Sequence, residues 1–168
     1  MLSVKAGEVS DLLAKESISI ICSLADAIAA DTLAPADRQK LLHASMLAGM
    51  VIANTGTTAV HGMGYSLTYY HEIDHGRANG LLLGAFVAFC AQHLPERTDA
   101  ILQAGGFESP AAFSQMLADL LGQREALTDA EMKKYAAKAI AAKNIANCAY
   151  QPSEAELYQM LKISLEEK

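Results

Sequence analysis

The sequence predicts an all-α fold, a helical bundle of about seven or eight helices, on three observations. Just over half of the 168 residues are apolar, 52%, with no Trp and only four Pro to interrupt a helical pattern. β-branched residues are scattered and no alternating apolar–polar run is sustained, so no strand is predicted. Helix-start and helix-stop residues recur along the whole length. Residues 1–168 therefore read as a single all-helical domain, large enough to bury a core without staples.

Each element has its own signal. Leu13, Ile20, Leu24 and Ile28 recur at helical spacing and predict one helix from Asp11 to about Ala30. Pro35 suits the first turn of a second helix, which runs through Leu42, Met46 and Met50 to the turn Asn54-Thr55-Gly56. A third helix spans Thr58 to Tyr70. Gly76 is expected to break the chain after His75, with a strongly apolar helix from about Arg77 to His93. Pro95 opens a short helix ending at Gly105-Gly106, and Ser109-Pro110 caps another that ends near Gly122. Thr128-x-x-Glu131 and Ser153-x-x-Glu156 are capping boxes that open the last two helices.

Composition excludes several functions. A net charge of −6, with no dense Lys or Arg cluster, argues against nucleic acid as a partner. The longest uncharged apolar run, Gly80 to Gln92, is shorter than the roughly 20 residues a spanning helix needs, so no membrane is expected. Cys22, Cys90 and Cys148 are odd in number, widely spaced and set among apolar or small residues. They read as reduced, buried thiols of a cytoplasmic protein.

The stretch YYHEIDHGRANG holds His71-Glu72-Ile73-Asp74-His75, which spells H-E-x-x-H. A zinc-peptidase helix needs both His on one face and a helix that continues beyond the second, with a third ligand downstream. Here Asp74 puts a charge at an interior position, Gly76 favours termination, and Leu81 stands where the extended motif needs His. Gly62-x-Gly64 follows no strand and lacks the third glycine of a nucleotide loop. Small residues that let another backbone or a cofactor come close explain it better. No G-x-S-x-G elbow or P-loop occurs.

A larger constellation remains. His61 lies early in a helix of small residues, and His75 follows fourteen residues later, so a turn must bring His75 back if the two are to share a metal. The set His61, Met63, Leu67, His75, Gly76, Ala78 and Asn79, followed by an apolar helix, resembles the metal-binding core of the iron-dependent alcohol dehydrogenases. LLHASMLAGMVIANTG before it and NIANCAYQPSEAELYQML near the end are similar to that family's flanking segments.

The resemblance implies the C-terminal helical domain of the dehydroquinate synthase-like, iron-dependent alcohol dehydrogenase fold. In that family a divalent metal, Fe2+ or Zn2+, acts with NAD(P) on a small alcohol or aldehyde. His61 and His75 match two of the four metal ligands; the other two, an Asp-x-x-x-His pair, have no counterpart in this sequence. Nor has the N-terminal nucleotide-binding domain, which becomes an expected partner. Tyr65 stands where many members carry a His near the nicotinamide. Its hydroxyl can hydrogen-bond cofactor or substrate but is a poor proton shuttle at neutral pH, and a packed aromatic is an equal reading. His71 and Glu72 fall in a variable loop. The chain is expected to be inactive on its own and to form a homo-oligomer, the alternative being a non-catalytic association module or split-enzyme subunit.

Overall fold

The computed structural model describes residues 1–123 and 125–165. Among these residues there are nine α-helices, one short 3-10 helix and no strand beyond isolated bridging. In order they are α1 (Glu8–Ser23), α2 (Ala25–Ala29), α3 (Pro35–Thr55), α4 (Ala59–His71), α5 (His75–His93), α6 (Pro95–Gly105), α7 (Pro110–Leu121), α8 (Asp129–Ile140), the 3-10 helix Lys143–Asn147 and α9 (Glu154–Leu165). None of the described helices is long and apolar enough to cross a membrane.

Most predicted signals act where expected. Ser109 accepts a hydrogen bond from Ala112 N–H at the start of α7, with Pro110 in its first turn. Thr128 and Glu131 exchange the reciprocal bonds of a capping box, as do Ser153 and Glu156. Gly106, in the left-handed region at φ 76°, ends α6.

Two expectations are corrected here. The first helix is two: the chain turns at buried Leu24, whose N–H bonds back to Ile21 O in a tight final turn. No Gly or Pro marks that break. The next correction concerns Gly76, which breaks nothing. It sits in the first turn of α5, and the chain turns earlier, at Glu72–Asp74, with Glu72 in the left-handed region (φ 54°). On α3, Leu42, Met46 and Met50 lie on the exposed face. They are 73%, 54% and 48% exposed, whereas Ala44 and Leu47 point inward.

Helix α5 is the centre of the bundle and packs against α4, α6, α7 and α9. Its buried residues, Ala78, Leu81, Leu82, Phe86, Val87, Phe89 and Cys90, lie on several of its faces, as a surrounded helix requires. The larger core joins α4, α5, α8 and α9 through Met63, Leu67, Leu82, Tyr135 and Leu161. A smaller one joins α5, α6 and α7 through Val87, Leu102 and Phe113. Burial keeps the thiols reluctant to ionise: Cys90, beside Cys148, is pushed up to about 12.

Candidate metal centre

The corner between α4 and α5 sets the geometry. His61 lies in the first turn of α4 and His75 is the first residue of α5. The Glu72–Asp74 turn folds α5 back along α4, and the two imidazole centroids come within 5.2 Å at 60° to one another. Burial lowers the pKa of half-buried His61 from its ordinary value, and the neighbouring His75 adds to the effect, so His61 favours the neutral form. Among the described residues no group of three or more His, Cys, Asp or Glu is gathered for a metal ion.

Side chains around the pair fix its orientation. Asn79, one helical turn beyond His75, places Nδ2 at 3.0 Å from His75 Nε2. Its Oδ1 is buried without a hydrogen-bond partner and lies against Gly64. Tyr65 stacks on His75 with centroids 6.0 Å apart and planes 15° from parallel, and its hydroxyl is 3.5 Å from Asn144 Nδ2. Asn144 also donates to Thr57 Oγ1, and Asn147 Nδ2 donates to Thr57 O at 3.1 Å. The 3-10 helix thereby holds the turn from which α4, and so His61, departs.

The glycines have packing roles. A Cβ on Gly64 would meet Asn79 Oδ1 at 2.4 Å, and one on Gly62 would meet the Ala139 carbonyl and Ala142 Cβ at 3.6 Å. Gly64 makes room for Asn79, while at Gly62 the end of α8 lies at ordinary van der Waals distance from where a Cβ would be.

His71 does something else. It is the last residue of α4, not part of a loop, and its Nε2 lies 2.9 Å from Tyr135 Oη and 3.5 Å from Glu131 Oε1, both on α8. Glu72 does lie in the corner, exposed. The H-E-x-x-H letters therefore straddle two helices and form no shared helical face. Arg77, in the first turn of α5, grips the chain after α7: Nε donates to Glu125 at 2.6 Å, and Nη1 and Nη2 donate to the Leu121 and Gln123 carbonyls.

Neither Asn79 nor Asn144 stood out as a positioning residue in the sequence. For Asn79 a signal existed, since residues four apart share a helix face with His75. For Asn144 there was none, because its contact with Thr57 spans 87 residues.

Fold and site together define an all-helical domain in which two imidazoles from adjoining helices are brought side by side. Residues 1–166 match the Fe-containing alcohol dehydrogenase family, C-terminal, and the chain belongs to that family. It is similar to the aldehyde-alcohol dehydrogenase of Clostridium acetobutylicum, 36% identical over 94 residues, which is 55% of this chain and 11% of that one. It is also similar to the 1,3-propanediol dehydrogenase of Klebsiella pneumoniae, 35% identical over 83 residues, 49% of this chain and 21% of the other. An iron-containing alcohol dehydrogenase from Thermotoga maritima superposes with a TM-score of 0.86 at 32% identity, covering 98% of this chain and 44% of that one. The sulfoacetaldehyde reductase of Bifidobacterium kashiwanohense, solved in complex with NAD+, also reaches 0.86 over 100% of this chain and 46% of its own. At 22% identity that likeness shows the fold alone. The chain spans less than half of each of these relatives.

Proposed function

We propose that this chain supplies the metal-binding half of an iron-dependent, NAD(P)-linked alcohol dehydrogenase, with His61 and His75 as two of the metal's ligands. The observation that carries the reading is the convergence of these two imidazoles, 5.2 Å apart by centroid, from consecutive helices. The donor set fits: imidazoles suit Fe2+ or Zn2+, and burial favours neutral His61. The remaining ligands, in this reading an Asp and a His, and the NAD(P)-binding domain come from outside residues 1–168.

When bound, the metal would polarise the oxygen of an alcohol or aldehyde. The chain's own contribution is to hold the ligands and shape their surroundings. Asn79 and the Tyr65 ring orient His75, while the Asn144 and Asn147 contacts steady the turn before His61. Tyr65, 48% exposed beside both rings, is the side chain we assign to contact cofactor or substrate.

Zn2+ titrated into the 15N-labelled chain tests the reading. Ring signals of His61 and His75 are expected to shift with a dissociation constant weaker than about 1 μM, since two ligands are half of a tetrahedral set. His61→Ala or His75→Ala should abolish the response and His71→Ala should leave it. Loss of zinc in His71→Ala with retention in His61→Ala would overturn the assignment.

A further inference from the structure

Beside the two histidines, α4 and α8 enclose an open groove of about 540 Å³ lined by Tyr65, Ser66, Tyr69, Tyr70 and Lys138. Tyr65 belongs to both places, because its ring stacks on His75 and its side chain walls the groove. The groove runs along α4 from Gly62 to Tyr70, about 12 Å at ~1.5 Å per residue.

The chain carries a net charge of −6, yet among the described residues no carboxylate lines this groove and its one charged lining residue is Lys138. Lys134 Nζ lies 4.4 Å and Lys138 Nζ 5.5 Å from the Tyr70 ring centroid. Tyr70 in turn stacks on Tyr135, at 5.4 Å and 8°. That stack fixes Tyr70, and Tyr70 holds the two ammonium groups in place by cation–π attraction. On α8, Glu131 is bonded to Thr128 and lies near His71 and Lys134, and it is not among the residues lining the groove. Tyr69, edge-to-face with Tyr70 at 4.9 Å, is still 79% exposed, and Tyr65, stacked on His75, is 48% exposed.

Aromatic walls and a pre-placed ammonium, with no carboxylate among the described lining residues, suit a flat organic anion. We propose that this groove is the specificity subsite for a substrate bearing a carboxylate. The alcohol or aldehyde end lies towards His61 and His75, the flat skeleton against Tyr65 and Tyr69, and the carboxylate on Lys138. Lys138 is thereby a specificity-determining residue. The assignment of the reacting end rests on the metal reading above; the anion preference rests on the groove alone.

The test is a titration of the 15N-labelled chain with 4-(hydroxymethyl)benzoate and with its neutral counterpart, 4-(hydroxymethyl)benzamide. The acid is expected to shift Tyr65, Ser66, Tyr69 and Lys138 and to bind about tenfold more tightly than the amide, the worth of one charge-assisted contact. Lys138→Met, which keeps the hydrocarbon stem, should erase that difference, and Lys40→Met on α3 should not. Equal binding of acid and amide would overturn the proposal, as would a preference that survives Lys138→Met. Nicotinamide mononucleotide is the third ligand: if it occupies these residues and the benzoate does not, the groove serves a cofactor phosphate and the proposal fails. Zn2+ shifts at His61 and His75 read the metal assignment separately. A Lys138-dependent acid preference without zinc binding would sustain the subsite and remove the metal reading.

Discussion

The amide oxygen of Asn79 occupies the space that a side chain on Gly64 would fill: a Cβ there would lie 2.4 Å from it. One helix gives up a side chain so that the next can seat the residue beside His75. Gly64→Ala should therefore cost about 1–3 kcal/mol, the usual range for overpacking. Asn79→Ala removes the obstacle, so the double variant should be more stable than the sum of the two single losses predicts. Urea unfolding midpoints of the four proteins check this, and simple additivity would show that the two residues are uncoupled.

Stability should depend on pH through His61. Its folded-state pKa is lowered, by burial first and His75 second, from an unfolded value near 6.5. The unfolded chain then binds more protons between the two values. This contribution is fully present above pH 6.5 and is lost as pH falls towards the folded pKa. Unfolding free energy measured from pH 7.5 to 5 should decline, and His61→Gln should flatten the decline.

Arg77→Met should loosen the segment after α7. It removes an ion pair that lowers the Glu125 pKa, together with donors to two backbone carbonyls. The pair is partly exposed, so the expected loss is modest, about 1–2 kcal/mol. Hydrogen exchange should quicken around Leu121 to Glu125 while α9 stays protected.

Tyr135→Phe keeps the ring stacked under Tyr70 and deletes the hydroxyl that meets His71. A loss of about 1 kcal/mol is expected, with zinc-induced shifts at His61 and His75 unchanged. Thermal denaturation and the zinc titration together separate this packing role from ligation.

Two further outcomes follow from the proposed function. The chain with Fe2+ or Zn2+, NAD(P) and alcohols should reduce no cofactor above the no-enzyme rate, because it offers two metal donors and no glycine-rich phosphate loop. Sedimentation should reveal species larger than a monomer, since Leu42, Met46 and Met50 form an exposed apolar stripe on α3. Met46→Lys should shift the population towards monomer.

What the sequence revealed was governed by short-range chemistry. The capping pairs at Thr128 and Ser153, and Pro35, Pro95 and Pro110, mark helix starts because their effects act within one turn. The Leu24 break was hidden because a tight turn held by tertiary burial leaves no Gly or Pro behind. Spacing could not orient α3, since Leu42, Met46 and Met50 share a face whether it points inward or outward. Gly76 misled because glycine also fits a helix's first turn, while the left-handed position went to Glu72. His61 and His75 were legible through a resemblance. The groove around Lys138 was not, because it needs α4 and α8 side by side.

The short corner at Glu72–Asp74 also bears on the order of assembly. It places both imidazoles in one continuous stretch of chain, so their meeting needs only local contacts, which form fast. The contacts that lock the arrangement arrive from far along the polypeptide: Tyr135 reaches His71 across 64 residues and Asn144 reaches Thr57 across 87. During synthesis the imidazole pair can form while α8 and the 3-10 helix are still to emerge. The pair is then a flexible clasp, and it becomes a rigid seat only once the C-terminal third of the chain has folded over it.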